Sequence, residues 1–171
     1  MRPGLRSVIL LATAVSICSV IVAAYLAWYV QSMSVPMGGS IHDLNFTVQT
    51  DKSAYAQGEA VLIMTNLTNK GAAPVTLSYG DSCGGALTIL TADGTPLFNN
   101  RQNRPCFQVV TEVTIVPGQS IARSYLWGQE DFLGHPVPAN HWYEILAAEG
   151  AIVDSGVSVL GYGRFFIGPA A

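Results

Sequence analysis

Residues 107–127 read FQVVTEVTIVPGQSIARSYLW. Two runs rich in Val, Ile, Thr and Tyr flank Pro117-Gly118-Gln119, residues that preset or tolerate turn dihedrals. Polar and apolar positions partly alternate from Thr111 to Val116, the period of a strand with one packed face and one wet face. The pattern predicts strands over 107–115 and 120–127. Outward from this pair the same punctuation repeats, with candidate strands at 44–50, 60–67, 74–79, 86–91, 142–147, 152–160 and 164–167. Asn69-Lys70-Gly71, Ala92-Asp93-Gly94, Ala148-Glu149-Gly150 and Gly161-Tyr162-Gly163 read as turns between them. Strands at about ten-residue spacing, with no long helical period after Val30, predict an all-β, immunoglobulin-like two-sheet antiparallel sandwich over 43–171.

Ahead of that domain, residues 7–30 (SVILLATAVSICSVIVAAYLAWYV) carry no charge. At about 1.5 Å per residue this stretch reaches roughly 36 Å as a helix, enough for a hydrocarbon core of about 30 Å. Arg2 and Arg6 precede it and the next cation is Lys52. The positive-inside rule then predicts a cytoplasmic N-terminus and an extracytoplasmic C-terminal domain. The expected organisation is a single-pass cell-membrane anchor over 1–31, a linker over 32–42 containing Pro36 and Gly38-Gly39, and the β domain. A cleaved secretory signal normally has a shorter apolar run of about 7–15 residues. Cleavage near Ser32-Met33-Ser34 and pilin-type processing after Gly4 are the alternatives to an uncleaved anchor.

Half of the residues are hydrophobic and 11% are charged, against about 25% charged in ordinary soluble domains. A net charge of −3 offers no basic surface for phosphates, which argues against nucleic-acid binding. Cys18 falls inside the apolar run and reads as an inert buried thiol. Cys83 and Cys106 fall in the domain expected outside the cell, where disulfides persist, and are predicted to be bonded. Closing that loop of about 24 residues contributes roughly 3 kcal/mol on the chain-entropy model. Asn45-Phe46-Thr47 and Asn66-Leu67-Thr68 are candidate glycosylation sequons.

Motifs that could carry chemistry have plainer readings. Gly80-Asp81-Ser82-Cys83-Gly84-Gly85 approaches a serine-protease GDSGG stretch, but Cys83 interrupts the oxyanion glycine pair and only His42 lies upstream. A turn leading into the disulfide is expected instead. Glu130, Asp131 and His135 could hold a hard cation, yet a solvated turn accounts for them. The two later histidines, His135 and His141, lack the nearby Cys and Met of a blue-copper site. Trp127, Trp142 and Tyr143 sit at strand positions, where core packing is the expected role. No catalytic residue, cofactor or metal ligand is assigned, and the chain is expected not to be an enzyme.

One resemblance runs through the domain. Tyr55-x-x-Gly58-Glu59-x-Val61, Thr65-Asn66-Leu67-Thr68-Asn69 and Pro74-Val75-x-Leu77 open it. Leu87-Thr88-Ile89, Asp93-Gly94, Val116-Pro117-Gly118-Gln119-Ser120 and Trp127-Gly128-Gln129 continue it, and Gly134-His135-Pro136-Val137-Pro138 with Tyr143-Glu144-Ile145 closes it. Over about residues 44–148 this order resembles the BsuPI-like intracellular proteinase inhibitor family. The resemblance implies a sandwich fold and a non-enzymatic role, and it carries over no functional residue. The Cys83/Cys106 pair and the strands after Ala151 depart from the family pattern. The leading functional expectation is a membrane-anchored envelope protein whose sandwich binds another protein or stabilises a surface assembly. One alternative is a proteinase inhibitor whose polar loop 99–105, with Arg101 and Arg104 beside the disulfide, contacts a protease. The other is a pilin-like filament subunit.

Overall fold

The structure is a computed structural model and describes residues 39–41, 43–102 and 104–170. The expected anchor over 1–31 and most of the linker lie outside the described residues. Among the described residues no helix is long and apolar enough to cross a membrane. Among the described residues eleven strands form the β domain. They are β1 Gly39–Ile41, β2 Leu44–Thr50, β3 Ala54–Tyr55, β4 Val61–Asn69, β5 Val75–Tyr79 and β6 Ala86–Thr91, then β7 Pro96–Asn99, β8 Thr111–Ile115, β9 Ser120–Trp127, β10 His141–Ile152 and β11 Ser158–Ile167.

One sheet has the order β1-β2-β4-β9. The other runs β3-β11-β10-β5-β8, with β6 and β7 continuing from β10 beside β5. Pairing is antiparallel except where Ala54 and Tyr55 run parallel to Phe166 and Ile167. That short parallel contact departs from the all-antiparallel expectation. Strand alternation sets the inner faces: Leu44, Phe46 and Val48 point inward from one sheet, and Tyr143, Ile145 and Ala147 from the other. Trp127 from β9 crosses between the sheets to Tyr143 and Phe165, with ring centroids at 6.0 and 5.9 Å in edge-to-face geometry. Its indole N–H is satisfied by the Glu130 carbonyl at 2.9 Å. Trp127 and Tyr143 thus take the core role expected of them. Trp142 does not: it lies half-buried on the outer face of β10, beside Phe166 and beneath the Arg164 guanidinium.

Two buried amides organise the connections. Asn69 donates to the carbonyls of Ala73 and Ile115 and accepts the Gly71 N–H. Gln129, with φ of 59°, donates to the carbonyls of Ala56 and Glu59 and accepts the Gly58 N–H. Each amide therefore ties distant loop segments together with its hydrogen-bonding capacity used.

Strands 44–50, 86–91 and 120–127 coincide with expectation. Two expected turns do not exist as turns. Ala148-Glu149-Gly150 lies inside β10, where a register shift between Ala148 and Ala151 absorbs the extra residue and Gly150 takes φ of 60°. Gly161-Tyr162-Gly163 lies inside β11 because the facing strand comes too close for side chains: a Cβ on Gly161 would fall 2.7 Å from both Phe46 and Val48. The expected strand over 107–115 begins only at Thr111.

Gly161→Ala should therefore overpack the sheet interface and lower stability by about 1–3 kcal/mol. Gly128→Ala, where a Cβ meets nothing within 4 Å, should change it by about 0.5 kcal/mol or less. Urea unfolding of both variants beside the wild type checks the pair; equal effects would contradict the close-approach account.

Candidate functional site

The residues singled out around the disulfide come together at one end of the larger sheet, where β5 leaves its ladder and a loop carries the chain to β6. Cys83 in that loop is bonded to Cys106, with the two Cα atoms 5.4 Å apart. Asp81 folds the loop on itself: one carboxylate oxygen accepts the Cys83 N–H at 2.9 Å and the other pairs with Arg101 at 2.6 Å. Arg101 also donates to the Gly84 carbonyl. Its guanidinium is thus bound into the loop, and only Arg104 of the two expected contact residues is exposed.

Beneath the loop lies a charged cluster. Alternation along β10 turns Glu149 inward together with Tyr143, Ile145 and Ala147, leaving it 1% exposed. Arg123 of β9 reaches across from the opposite sheet and donates to both its oxygens, at 2.5 and 3.2 Å. The Tyr79 hydroxyl donates a third bond at 2.9 Å. Burial works against the Arg123 charge, but the bonds to Glu149 outweigh it and raise its pKa above the ordinary value. Burial, followed by the Glu149 charge, pushes Tyr79 up to about 12. The glycine pair of the GDSCGG stretch has its explanation here: a Cβ on Gly85 would fall 2.4 Å from Glu149 Oε1, and Gly84 has φ of 71°. Ser82 likewise has a structural task, since its Oγ accepts the Phe107 N–H and its own N–H donates to the Phe107 carbonyl, both at 3.0 Å.

What this base supports is the stretch over 104–110, which has no secondary structure. Every residue in it except Cys106 is exposed, including Phe107 at 72% and Val110 at 70%. Among the described residues the backbones of Gln108, Val109 and Val110 make no hydrogen bond. The edge strand β8 continues directly from it, bonded only to β5. Reading 107–115 as one strand concealed this segment. The available signals were Pro105 and Cys106 just upstream and the adjacent Val109-Val110, which break the period of two.

The other candidates are dispersed. Asn45 and Asn66 are exposed in the smaller sheet, and their two triplets face one another, Asn45 opposite Thr68 and Thr47 opposite Asn66. Asn66 donates to Thr68 on its own strand and the Thr47 hydroxyl donates across to the Asn66 carbonyl, so these residues form a polar cross-strand patch. Asp131 accepts the N–H groups of Leu133 and His135 at 2.8 and 2.9 Å, closing a turn, and the His135 bond lowers its pKa. Glu130 is exposed beside it. Gln102 ties the loop over 99–102 to this turn through the Phe132 carbonyl at 2.7 Å.

Comparison with known families adds the last element. The model of the BsuPI family, described as intracellular proteinase inhibitor, matches residues 48–148, and the chain belongs to that family. No curated protein matches the chain. Among solved structures, the sporulation control protein Spo0M of Bacillus subtilis is similar with a TM-score of 0.46 and 15% identity, over 75% of this chain and 50% of that one. A β-glucosidase of Erythrobacter marinus gives 0.42 and 12%, over 72% and 15%. The CARDB domain of a Pyrococcus furiosus protein in complex with di-metal ions gives 0.42 and 11%, over 81% and 95%. The chain thus spans half the length of the first and 15% of the second.

Replacing Cys83 and Cys106 together by Ser should cost about 2–4 kcal/mol in urea unfolding; no loss would contradict a stabilising crosslink. Tyr79 ordinarily titrates near 10 and here is pushed up to about 12. Stability that depends on its neutral form is complete below about pH 10 and lost as pH rises through about 12. Tyr79→Phe should lessen the fall in stability between those limits, and an unchanged slope would contradict it.

Proposed function

We propose that this BsuPI-family domain is a proteinase inhibitor that meets its protease through the segment over 104–110. The observation carrying the proposal is the combination of an exposed, unpaired segment with a fixed base: the Cys83–Cys106 bond, the Ser82–Phe107 pair and the Asp81–Arg101 ion pair. A loop held in one shape before binding gives up less conformational entropy on binding, which is what tight inhibition requires. The family match supports this role over surface assembly.

The contact site moves relative to the loop over 99–105 expected from sequence. Arg101 is spent on Asp81 and Gly84, whereas 104–110 is exposed and continues the free edge of β8. The strand arrangement is read as immunoglobulin-like, a framework that commonly carries binding segments at its ends. The uncharged run over 7–30, with Arg2 and Arg6 before it, supports holding the inhibitor at a membrane with its β domain extracytoplasmic.

The test is a panel of serine, cysteine and metalloproteases assayed with the full chain in mild detergent. Inhibition of at least one class at micromolar protein, weakened by reduction of the disulfide, is expected. Full activity of every protease at that concentration would overturn the proposal.

A further inference from the structure

We infer that the Phe107 side chain is the anchor through which the inhibitory segment engages its protease, and that the pocket receiving it is large and apolar. The inference rests on the inhibitor reading above and names the partner's chemistry. Phe107 is the most exposed aromatic side chain among the large exposed hydrophobics of the described residues. Leaving a phenylalanine in water forgoes about 1.5–3 kcal/mol of burial, available on binding to an apolar pocket.

The main chain of the same residue is immobilised. Its N–H donates to Ser82 Oγ, its carbonyl accepts the Ser82 N–H, and Cys106 beside it is crosslinked. A residue fixed at the backbone and free at the side chain has only two torsions left to lose on binding. Buried aromatics presented in this way dominate interface energies. The basic side chains compare poorly: engaging Arg101 would break its 2.6 Å pair with Asp81, and Arg104 is separated from the fixed point by Pro105 and Cys106.

The same bonds constrain the mode of inhibition. A substrate-like inhibitor places the carbonyl of its anchor residue in the protease's oxyanion hole. The Phe107 carbonyl already accepts the Ser82 N–H on one of its two lone pairs, which ties the Phe107–Gln108 peptide to the disulfide loop, and inhibition by occlusion keeps that tie intact. The backbone groups of Gln108, Val109 and Val110, unbonded among the described residues, are free to pair with an extended edge of the partner.

The experiment measures inhibition of chymotrypsin, whose primary pocket is apolar, and trypsin, whose pocket is acidic, by the full chain in mild detergent. Phe107→Ala and Arg104→Ala are compared, with thermal unfolding verifying that each variant is folded. Preferential inhibition of chymotrypsin is expected, with Ki raised at least about thirtyfold by Phe107→Ala and less than about threefold by Arg104→Ala. Mass spectrometry should recover the inhibitor uncut between Phe107 and Gln108. Chymotrypsin inhibition insensitive to Phe107→Ala would overturn the anchor while leaving the inhibitor reading intact. Preferential trypsin inhibition lost in Arg104→Ala would move the anchor to Arg104. Cleavage at Phe107–Gln108 within the inhibited complex would overturn occlusion. Failure to inhibit either enzyme would overturn the apolar-pocket assignment, and the broader panel then decides whether the inhibitor reading falls with it.

Discussion

A carboxylate held inside a β-sandwich must find a cation, and the pairing of Glu149 with Arg123 determines how the disulfide-bearing end of this domain is built. The two side chains come from opposite sheets, so their bond fixes the sheets relative to one another at this point. Withdrawing one member of a fully buried pair costs about 3–5 kcal/mol, and less here because the Arg123 side chain is partly exposed. The pair also excludes side chains from its roof, which is why Gly84 and Gly85 cover it. Those glycines place Cys83, Cys83 is bonded to Cys106, and Ser82 holds the backbone of Phe107. A buried electrostatic requirement is thereby transmitted through a short loop to an exposed surface.

The alternation of strands was legible in the chain along Leu44–Thr50, whereas Thr111–Val116 alternates in sequence but buries only Ile115, because β8 lies at a sheet edge. It failed where local chemistry and tertiary geometry disagree. Gly161 and Gly163 have the local signature of a turn, but they are the small residues of a strand pressed against Phe46 and Val48. Ala148-Glu149-Gly150 looked like a turn because a bulge uses the same residues as a turn. Ala54–Tyr55 is too short to leave a periodic trace, and its pairing with Phe166 and Ile167 bridges a long sequence separation.

The candidate site was only half legible. The redox argument paired Cys83 with Cys106, and the resemblance placed the domain in its family. Neither the Glu149–Arg123 bond nor the Ser82–Phe107 bond leaves a sequence signal, because each joins residues more than twenty positions apart by side-chain contacts. Without the Asp81–Arg101 pair Arg101 looked like a free cation, and without the Ser82–Phe107 bond Phe107 looked like the first residue of a strand. With them the roles divide: Arg101 builds the base and Phe107 is displayed on it.

The combination of an uncovered apolar segment and an unusually well-braced support is the physical signature of a surface shaped for a partner. Amide hydrogen exchange of the full chain, free and in complex with a protease from the panel proposed above, tests this most directly. The account predicts rapid exchange at Gln108, Val109 and Val110 in the free protein and marked slowing there in the complex. Slowing confined to another face, with these three amides unchanged, would contradict it.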